Sequence, residues 1–185
     1  MTGARAGRAA RAAAPQRAPA AAAWRAMGQA DLAAVATLAR AVHAAYPERD
    51  AVFAERLALF ARGCLVLERA GRVQGYAIAH PWRRAAPPAL DTLLGALPRR
   101  PDCLYLHDVA LRPAARGAGA SRVALARLAA VARRDGLARI ALVALPGTEG
   151  FWRRHGFAPV ARPRLAAKLA SYGAGACAME RELVA

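Results

Sequence analysis

One stretch of the chain limits its fold more than any other, because it joins the end of an apolar strand to the start of a helix through a glycine-containing turn. The stretch covers residues 111–121 and reads LRPAARGAGAS. Gly117 and Gly119 let backbone N–H groups converge with no Cβ in the way. The start of the helix adds N–H groups without a helical partner and the positive end of the helix dipole. With the Arg116 guanidinium beside them, these groups predict a pyrophosphate site, and a tight strand-to-helix turn without a ligand is the alternative.

Two common nucleotide-binding motifs do not fit this turn. A P-loop would continue with Gly-Lys-Ser or Gly-Lys-Thr, and no such sequence follows. A dinucleotide-binding fold would carry an acidic residue at the end of the next strand, which is also missing, and this turn lies in the middle of the chain. The turn therefore indicates another α/β architecture.

Hydrophobic periodicity predicts seven strands and four longer helices from Trp24 onward. Their order, β-α-α-β-β-β-α-β-α-β-β, is typical of an α/β sandwich around a mixed sheet. The segment 139–145 is almost continuously apolar, as in a strand buried on both faces. Residues 80–102 form a proline-rich insert in which we predict a short helix near 90–97. The predicted strands are 24–27, 64–68, 72–79, 103–111, 139–145, 157–160 and 176–183, and the predicted helices are 30–45, 52–61, 121–135 and 148–155.

The length of the chain, 185 residues, suits one well-packed domain and is too short for two ordinary ones. Residues 1–23 are rich in alanine, arginine and proline and contain no acidic residue, so we expect a disordered tail there. Residues 24–185 are expected to form a single domain. An organelle transit peptide, or a true start at Met27, would also account for the tail.

The chain is strongly basic, with 28 Lys+Arg against 12 Asp+Glu and a formal net charge of +16. Only Lys168 is a lysine, so the arginine excess indicates a GC-rich genome as one source of this charge. The arginines are spread along the chain without a nucleic-acid-binding motif, and nucleic-acid binding therefore ranks last among the functions considered. No apolar run is long enough to cross a membrane. The three cysteines fit neither a disulfide framework nor a zinc site, which indicates a reducing, cytoplasmic setting.

The glycine turn and a second motif together resemble the GCN5-related N-acetyltransferases (the GNAT family), which use acetyl-CoA. Residues 116–121, RGAGAS, match the family pattern Arg/Gln-x-x-Gly-x-Gly/Ala except at Ser121, and serine is small and suits a helix N-cap. Residues 111–113 stand where the family has Val-x-Pro. Residues 151–157, FWRRHGF, resemble the family's Phe-Tyr-x-x-x-Gly-Phe with Trp152 in place of tyrosine. The resemblance extends over residues 24–183.

This resemblance implies a GNAT-like three-layer sandwich. Its mixed, mostly antiparallel sheet would have about seven strands, would splay between strands 4 and 5, and would be flanked by about four helices. The resemblance also implies acetyl-CoA as co-substrate and no metal. The pantetheine arm would pair with the fourth strand, and the pyrophosphate would lie on the glycine turn within a basic rim that includes Arg112 and Arg122. The implied cofactor-binding residues are Val109, Leu111, Arg116, Gly117, Ala118, Gly119, Ala120, Ser121 and Trp152.

Acetyl transfer to an amine needs a base that works near neutral pH, and His107 on the fourth strand is the first candidate. Residues 105–111 resemble the arylalkylamine acetyltransferases, which carry a base histidine at the matching place. Asp108 is the second candidate. In a regular strand its side chain would face away from His107, and a β-bulge would change that. The alternative for His107 is a hydrogen-bonded histidine of the core. The alternative for Asp108 is a partner for a nearby arginine or a cap at the end of the strand.

The general acid is less defined, because the indole of Trp152 cannot protonate a thiolate. Tyr172 or His155 is one source of the proton. Water is another source, since a thiol pKa of about 8.5 makes the thiolate an easy leaving group. A weak or non-catalytic CoA binder is the remaining interpretation.

The acceptor pocket is expected at the turn between the first two helices and in the insert 80–102. Its candidate substrate-binding residues, aromatic and carboxylate side chains that suit a cationic amine, are Tyr46, Glu48, His80, Trp82 and Tyr105, with His43 beside them. Ordinary packing is the alternative for the aromatic residues, and a solvated loop charge for Glu48.

The function that the resemblance implies is acetyl-CoA-dependent transfer to a primary amine, of a small molecule, by direct attack in a ternary complex. Acetylation of a protein N-terminus or lysine is one alternative, and a non-catalytic acyl-CoA-binding or regulatory domain is another. We expect a cytoplasmic protein that does not bind membranes, and a homodimer is compatible with this interpretation.

Overall fold

The computed structural model describes residues 21–183, and within them seven strands form one sheet with five α-helices around it. Of the expected tail, residues 1–20 lie outside the described residues, and Ala23 already belongs to the first strand. The strands are β1 (Ala23–Ala26), β2 (Cys64–Arg69), β3 (Arg72–Trp82), β4 (Cys103–Leu111), β5 (Arg139–Ala144), β6 (Ala158–Pro159) and β7 (Cys177–Glu182). The helices are α1 (Leu32–Val42), α2 (Asp50–Phe60), α3 (Ala120–Arg134), α4 (Glu149–Arg154) and α5 (Ala166–Ala170).

The strand order is β1-β2-β3-β4-β5-β7-β6, and every neighbouring pair is antiparallel except β4 and β5. The parallel pair is short, because only Leu104 opposite Ile140 and Tyr105 opposite Ala141 are in register. Beyond Tyr105 the two strands diverge, so the edge of β4 that faces β5 has no strand partner there. The predicted fold, a sandwich around a sheet that splays between strands 4 and 5, is confirmed.

Two apolar layers cover the two faces of the sheet, because successive apolar side chains of the central strands point to opposite faces. On one face, Val66 and Ile78 pack with Leu38 of α1 and Phe53 of α2. On the other face, Leu65, Leu67, Ala77 and Ala79 pack with Leu125 and Leu128 of α3. The site described below lies between these layers, where the sheet opens.

The predicted helix near 90–97 is wrong, since this segment consists of turns and irregular backbone. Its backbone groups bond instead to α2: the Glu55 carboxylate accepts the N–H groups of Leu94 and Gly95, and the fully buried Arg56 donates to the Thr92 carbonyl. Partners from a neighbouring helix thus replace the hydrogen bonds that a local helix would supply. The structure also lengthens the third strand to Trp82 and adds α5, which the sequence did not indicate.

Candidate active site

The glycine turn follows β4 directly and starts α3. Gly119 is the N-cap of α3, and Gly117 and Gly119 have φ angles of +82° and +73°. Glycine adopts this left-handed conformation without the strain that a Cβ would cause. A Cβ on Gly117 would meet no atom within 4 Å, so the space above the turn is open. Since the first turn of a helix also presents N–H groups without helical partners, the turn has the properties of a phosphate cradle.

A cavity of about 810 Å³ joins this turn to the C-terminal end of α1. Arg116 and Arg122 line it near the turn, and Arg154 of α4 lines it as well. The two carboxylates in its wall, Glu48 and Asp108, belong to the segment after α1 and to β4. The cavity therefore offers cations beside the glycine turn and acid–base groups beside the splayed part of β4.

A β-bulge in β4 determines on which face of the sheet His107 and Asp108 lie. Leu106 pairs with Ala79 and Asp108 pairs with Ile78, so His107 is an extra residue without a pairing partner on β3. In a regular strand, His107 and Asp108 would point to opposite faces. Because of the bulge, both lie on the same face of the sheet, where His107 contacts Glu48 and Asp108 contacts His43, which is the arrangement that the sequence left open.

His107 forms a close pair with Glu48. The distance between His107 Nε2 and Glu48 Oε2 is 3.0 Å, and the two side chains are only 5% and 7% exposed. Burial would raise the pKa of the Glu48 carboxyl, but the contact with His107 outweighs burial and lowers it. Glu48 is therefore a buried carboxylate that is ionised at neutral pH, and the alternative of a solvated loop charge is wrong.

Asp108 belongs to a second pair, with His43 at the end of α1. His43 Nε2 lies 3.0 Å from Asp108 Oδ1, and the hydroxyl of the buried Tyr76 donates to the other oxygen. Burial would raise the pKa of Asp108, but His43, Tyr76 and His107 together lower it. Burial would lower the pKa of His43, and the nearby carboxylates outweigh this and raise it. The pair thus favours a charged aspartate beside a protonated histidine.

The other predicted substrate residues divide into two groups. Tyr46 and Tyr105 line the cavity. His80 and Trp82 are not brought into its wall: His80 is fully buried, and the Trp82 indole donates to the Ala86 carbonyl at 2.7 Å. Burial, followed by the nearness of His107, lowers the pKa of His80 to about 3, so its ring is neutral.

Most of the predicted cofactor residues line the cavity together. They are Val109, Leu111, Arg116, Gly117, Gly119, Ala120, Ser121 and Trp152. Ala118 differs, because it faces a smaller cavity beside Trp24 of β1. The Trp24 indole donates to the Ala120 carbonyl at 2.9 Å, so β1 supports the start of α3 from behind.

Trp152 lies on α4, where the second motif placed it, and lines the cavity. Its ring packs edge-on at 5.4 Å from Phe157 and 4.9 Å from Phe151. The His155 ring packs edge-on at 4.7 Å from Phe151. Burial and the neighbouring arginines Arg154 and Arg181 lower the pKa of His155, which makes it a poor proton donor near neutral pH.

Tyr172 also lines the cavity, and its hydroxyl donates to the Pro88 carbonyl in the insert. Burial raises the pKa of Tyr172. Its proton is engaged in a bond that joins the loop after α5 to the insert. Sequence reasoning missed Tyr76 and the pairing of His43 with Asp108; the only sequence signal was that His43, like Glu48, stands in the turn between the first two helices.

The chain belongs to the acetyltransferase (GNAT) family, whose model matches residues 32–157. Members of this family are acyltransferases. The match includes the glycine turn, both histidine–carboxylate pairs and the second motif through Phe157. No curated protein sequence matches the chain.

Solved structures are similar over almost the whole chain. The loading GNATL domain of CurA from Lyngbya majuscula has a TM-score of 0.71 and 12% identity, with 88% of this chain and 98% of that one covered. Ard1 from Thermoplasma volcanium has a TM-score of 0.68 and 15% identity, with 89% and 99% covered. N-acetylglutamate synthase from Neisseria gonorrhoeae, solved with coenzyme A and N-acetyl-glutamate, has a TM-score of 0.66 and 18% identity, with 90% and 36% covered. At these identities the similarity shows the fold.

Within residues 21–183, no helix is long and apolar enough to span a membrane. The same residues contain no group of three or more histidine, cysteine, aspartate or glutamate side chains arranged to hold a metal ion.

Proposed function

We propose that the protein is an acetyl-CoA-dependent N-acetyltransferase that acts on a primary amine of a small molecule. The observation that carries this proposal is the shared cavity: the glycine turn, the open edge of β4 and the His107–Glu48 pair all line it. Family membership and a solved neighbour that holds coenzyme A support the choice of cofactor.

The residues present fit a CoA thioester. The backbone of Gly117 and Gly119 and the first turn of α3 would hold the pyrophosphate, with Arg116 and Arg122 as counter-charges. The unpaired edge of β4 at Val109 and Leu111 would hold the pantetheine arm through backbone hydrogen bonds. When bound, acetyl-CoA supplies an activated acetyl group, whose carbonyl the β4 backbone N–H groups would polarise.

His107 is the favoured base for the amine. It lies on the splayed part of β4, it lines the cavity, and its carboxylate partner stabilises the charged ring that forms when it takes a proton. Asp108 is the weaker candidate, because its lowered pKa makes it a poor proton acceptor and its two oxygens are held by His43 and Tyr76. The thiolate would take its proton from water or from a side chain of the cavity.

The insert favours a small acceptor. Leu90 lines the cavity, and Tyr172 and Arg56 fix the insert to the rest of the domain, so this wall is held in place. A fixed wall narrows the approach of a protein N-terminus or a lysine side chain. One observation favours a second function: Trp152 replaces the usual tyrosine, as it would in a domain that binds CoA without turnover.

The test has two stages on the full-length protein. The first stage is thermal unfolding with acetyl-CoA, CoA and ATP, where acetyl-CoA should raise the melting temperature saturably and far more than ATP does. The second stage measures thiol release with a panel of small amines, amino acids and peptides, and mass spectrometry identifies the acetylated product. Equal shifts with acetyl-CoA and ATP would contradict the CoA site. A clear acetyl-CoA shift without turnover on any acceptor would favour the binding domain, and preferred turnover of peptides would contradict a small acceptor.

A further inference from the structure

Glu48 has both carboxylate oxygens engaged. Oε2 lies 3.0 Å from His107 Nε2, and Oε1 accepts the backbone N–H of Asp91 at 3.0 Å. The side chain is only 7% exposed. A carboxylate used in this way has little capacity left for an incoming ammonium group, although it lies in the wall of the acceptor cavity.

Asp91, the second partner of Glu48, is itself firmly held. Its backbone has a φ angle of +51°, a left-handed conformation that aspartate adopts more readily than most residues other than glycine. The Arg49 backbone N–H and Nε donate to its carboxylate, and Arg49 Nη2 donates to its carbonyl. Residues 48 and 49 therefore bind the same residue of the insert through four hydrogen bonds. This fixes the N–H that orients Glu48.

An ionised carboxylate can only accept hydrogen bonds, so its contact with His107 requires a hydrogen on Nε2. In the neutral imidazole the lone pair then lies on Nδ1. We propose that Glu48 is a positioning residue that holds His107 with Nε2 protonated and so makes Nδ1 the proton-accepting atom. This proposal rests on the proposed function, and it replaces direct substrate binding as the role of Glu48.

In the reaction, the amine nitrogen forms a bond to the acetyl carbon and the bond from that carbon to sulfur breaks. The proton lost by the nitrogen goes to His107 Nδ1, and the departing thiolate takes one from water or a cavity side chain. Glu48 stays ionised and stabilises the imidazolium until His107 returns its proton to solvent. His43 is a poor substitute, since its Nε2 already faces Asp108 and its raised pKa favours the charged ring.

The experiment uses the four histidines of the chain as reporters. In ¹⁵N-histidine-labelled full-length protein, long-range proton–nitrogen correlation spectra report which ring nitrogen carries the hydrogen, and a His107→Gln variant assigns the His107 signals. We expect the Nε2–H form of His107 in the wild type and a mixture of both tautomers in Glu48→Ala. The matched control is Arg49→Ala, which removes side-chain bonds to Asp91 but leaves the Glu48–His107 contact, and there the Nε2–H form should persist.

Kinetics provides the second measurement once an acceptor is found. We expect Glu48→Ala to lower kcat at least about tenfold while the KM for acetyl-CoA stays within about twofold. Glu48→Gln keeps the size of the side chain and serves if the alanine variant unfolds; it should lower kcat as well. A rise in the amine KM with unchanged kcat would overturn the proposal in favour of substrate binding. So would an Nδ1–H form in the wild type, an unchanged tautomer in Glu48→Ala, or an equal change in Arg49→Ala. The spectra need no acceptor, so absence of acetyl transfer would overturn the proposed function while the tautomer result still decided the role of Glu48.

Discussion

Replacing Gly117 by alanine separates the binding role of the glycine turn from its structural role. At φ +82° an alanine is strained by about 1–2 kcal/mol, but its Cβ would meet no protein atom within 4 Å. Gly71, in the hairpin between β2 and β3, is a matched control because it has φ +73° and the same open surroundings, far from the cavity lining. Both variants should therefore lose a similar 1–2 kcal/mol of unfolding free energy, or roughly 2–8 °C in melting temperature for a domain of this size.

Only the Gly117 variant should lose affinity for CoA, because its Cβ occupies the open space above the turn. A lost hydrogen bond to a charged phosphate group costs about 1.5–3 kcal/mol, which corresponds to about a 10- to 150-fold rise in Kd. Isothermal titration calorimetry with CoA measures this rise, and urea unfolding without ligand measures the strain. Equal CoA affinity in Gly117→Ala and Gly71→Ala would refute the assignment of the turn as the phosphate cradle.

Three further outcomes can be measured on the protein without an acceptor. A Cβ on Gly75 would lie 2.3 Å from Leu111 Cδ2, so Gly75→Ala should lower the urea unfolding free energy by about 1–3 kcal/mol, and unchanged stability would contradict the close approach of β3 and β4. The carboxylates near His43 outweigh burial and raise its pKa. The contribution of His43 to the unfolding free energy is therefore complete below its unfolded pKa of about 6.5, and it is lost as the pH rises through the higher folded pKa. The stability difference between wild type and His43→Gln should therefore shrink from about pH 6.5 upward, and a constant difference would contradict this. Tyr172→Phe leaves the Pro88 carbonyl without its donor and should cost about 1–3 kcal/mol, which thermal unfolding would show as a lower melting temperature; an unchanged value would mean that this bond does not anchor the insert.

The sequence predicted the parts of the fold that local patterns determine. The strand Cys103–Leu111 has the bounds that its apolar pattern indicated, and the helix after the glycine turn begins one residue earlier than expected. The glycines at the turn and the periodic apolar residues before and after it disfavour any other local structure. The prediction of a helix in the insert was wrong because local pattern does not determine this segment. Its leucines suggest a helix, but hydrogen bonds from Glu55 and Arg56 of α2 determine the backbone.

The candidate site was predictable in its residue types and only partly in its pairings. His107, Asp108 and Glu48 were all candidates, but Glu48 and His107 are 59 positions apart in sequence, and no local pattern joins them. The bulge that turns Asp108 towards the cavity depends on register with β3, which a single strand does not reveal. Long-range contacts thus make Glu48, predicted as a substrate-binding residue, the buried partner of His107.

The bulge makes β4 two half-strands of opposite phase within one continuous element. Before His107, odd-numbered residues such as Tyr105 point towards the acceptor side; after it, the even-numbered Asp108 and Ala110 do. Deleting His107 would restore an unbroken ladder in which Leu106 and Asp108 kept their partners Ala79 and Ile78. If His107 stayed and paired with Ile78 in a flat ladder, every later residue would shift by one position, and Val109 and Leu111 would exchange faces with their neighbours. The bulge therefore accommodates one extra residue, His107, while every other residue of β4 keeps its face, so the length of β4 is as much a part of the site as its side chains.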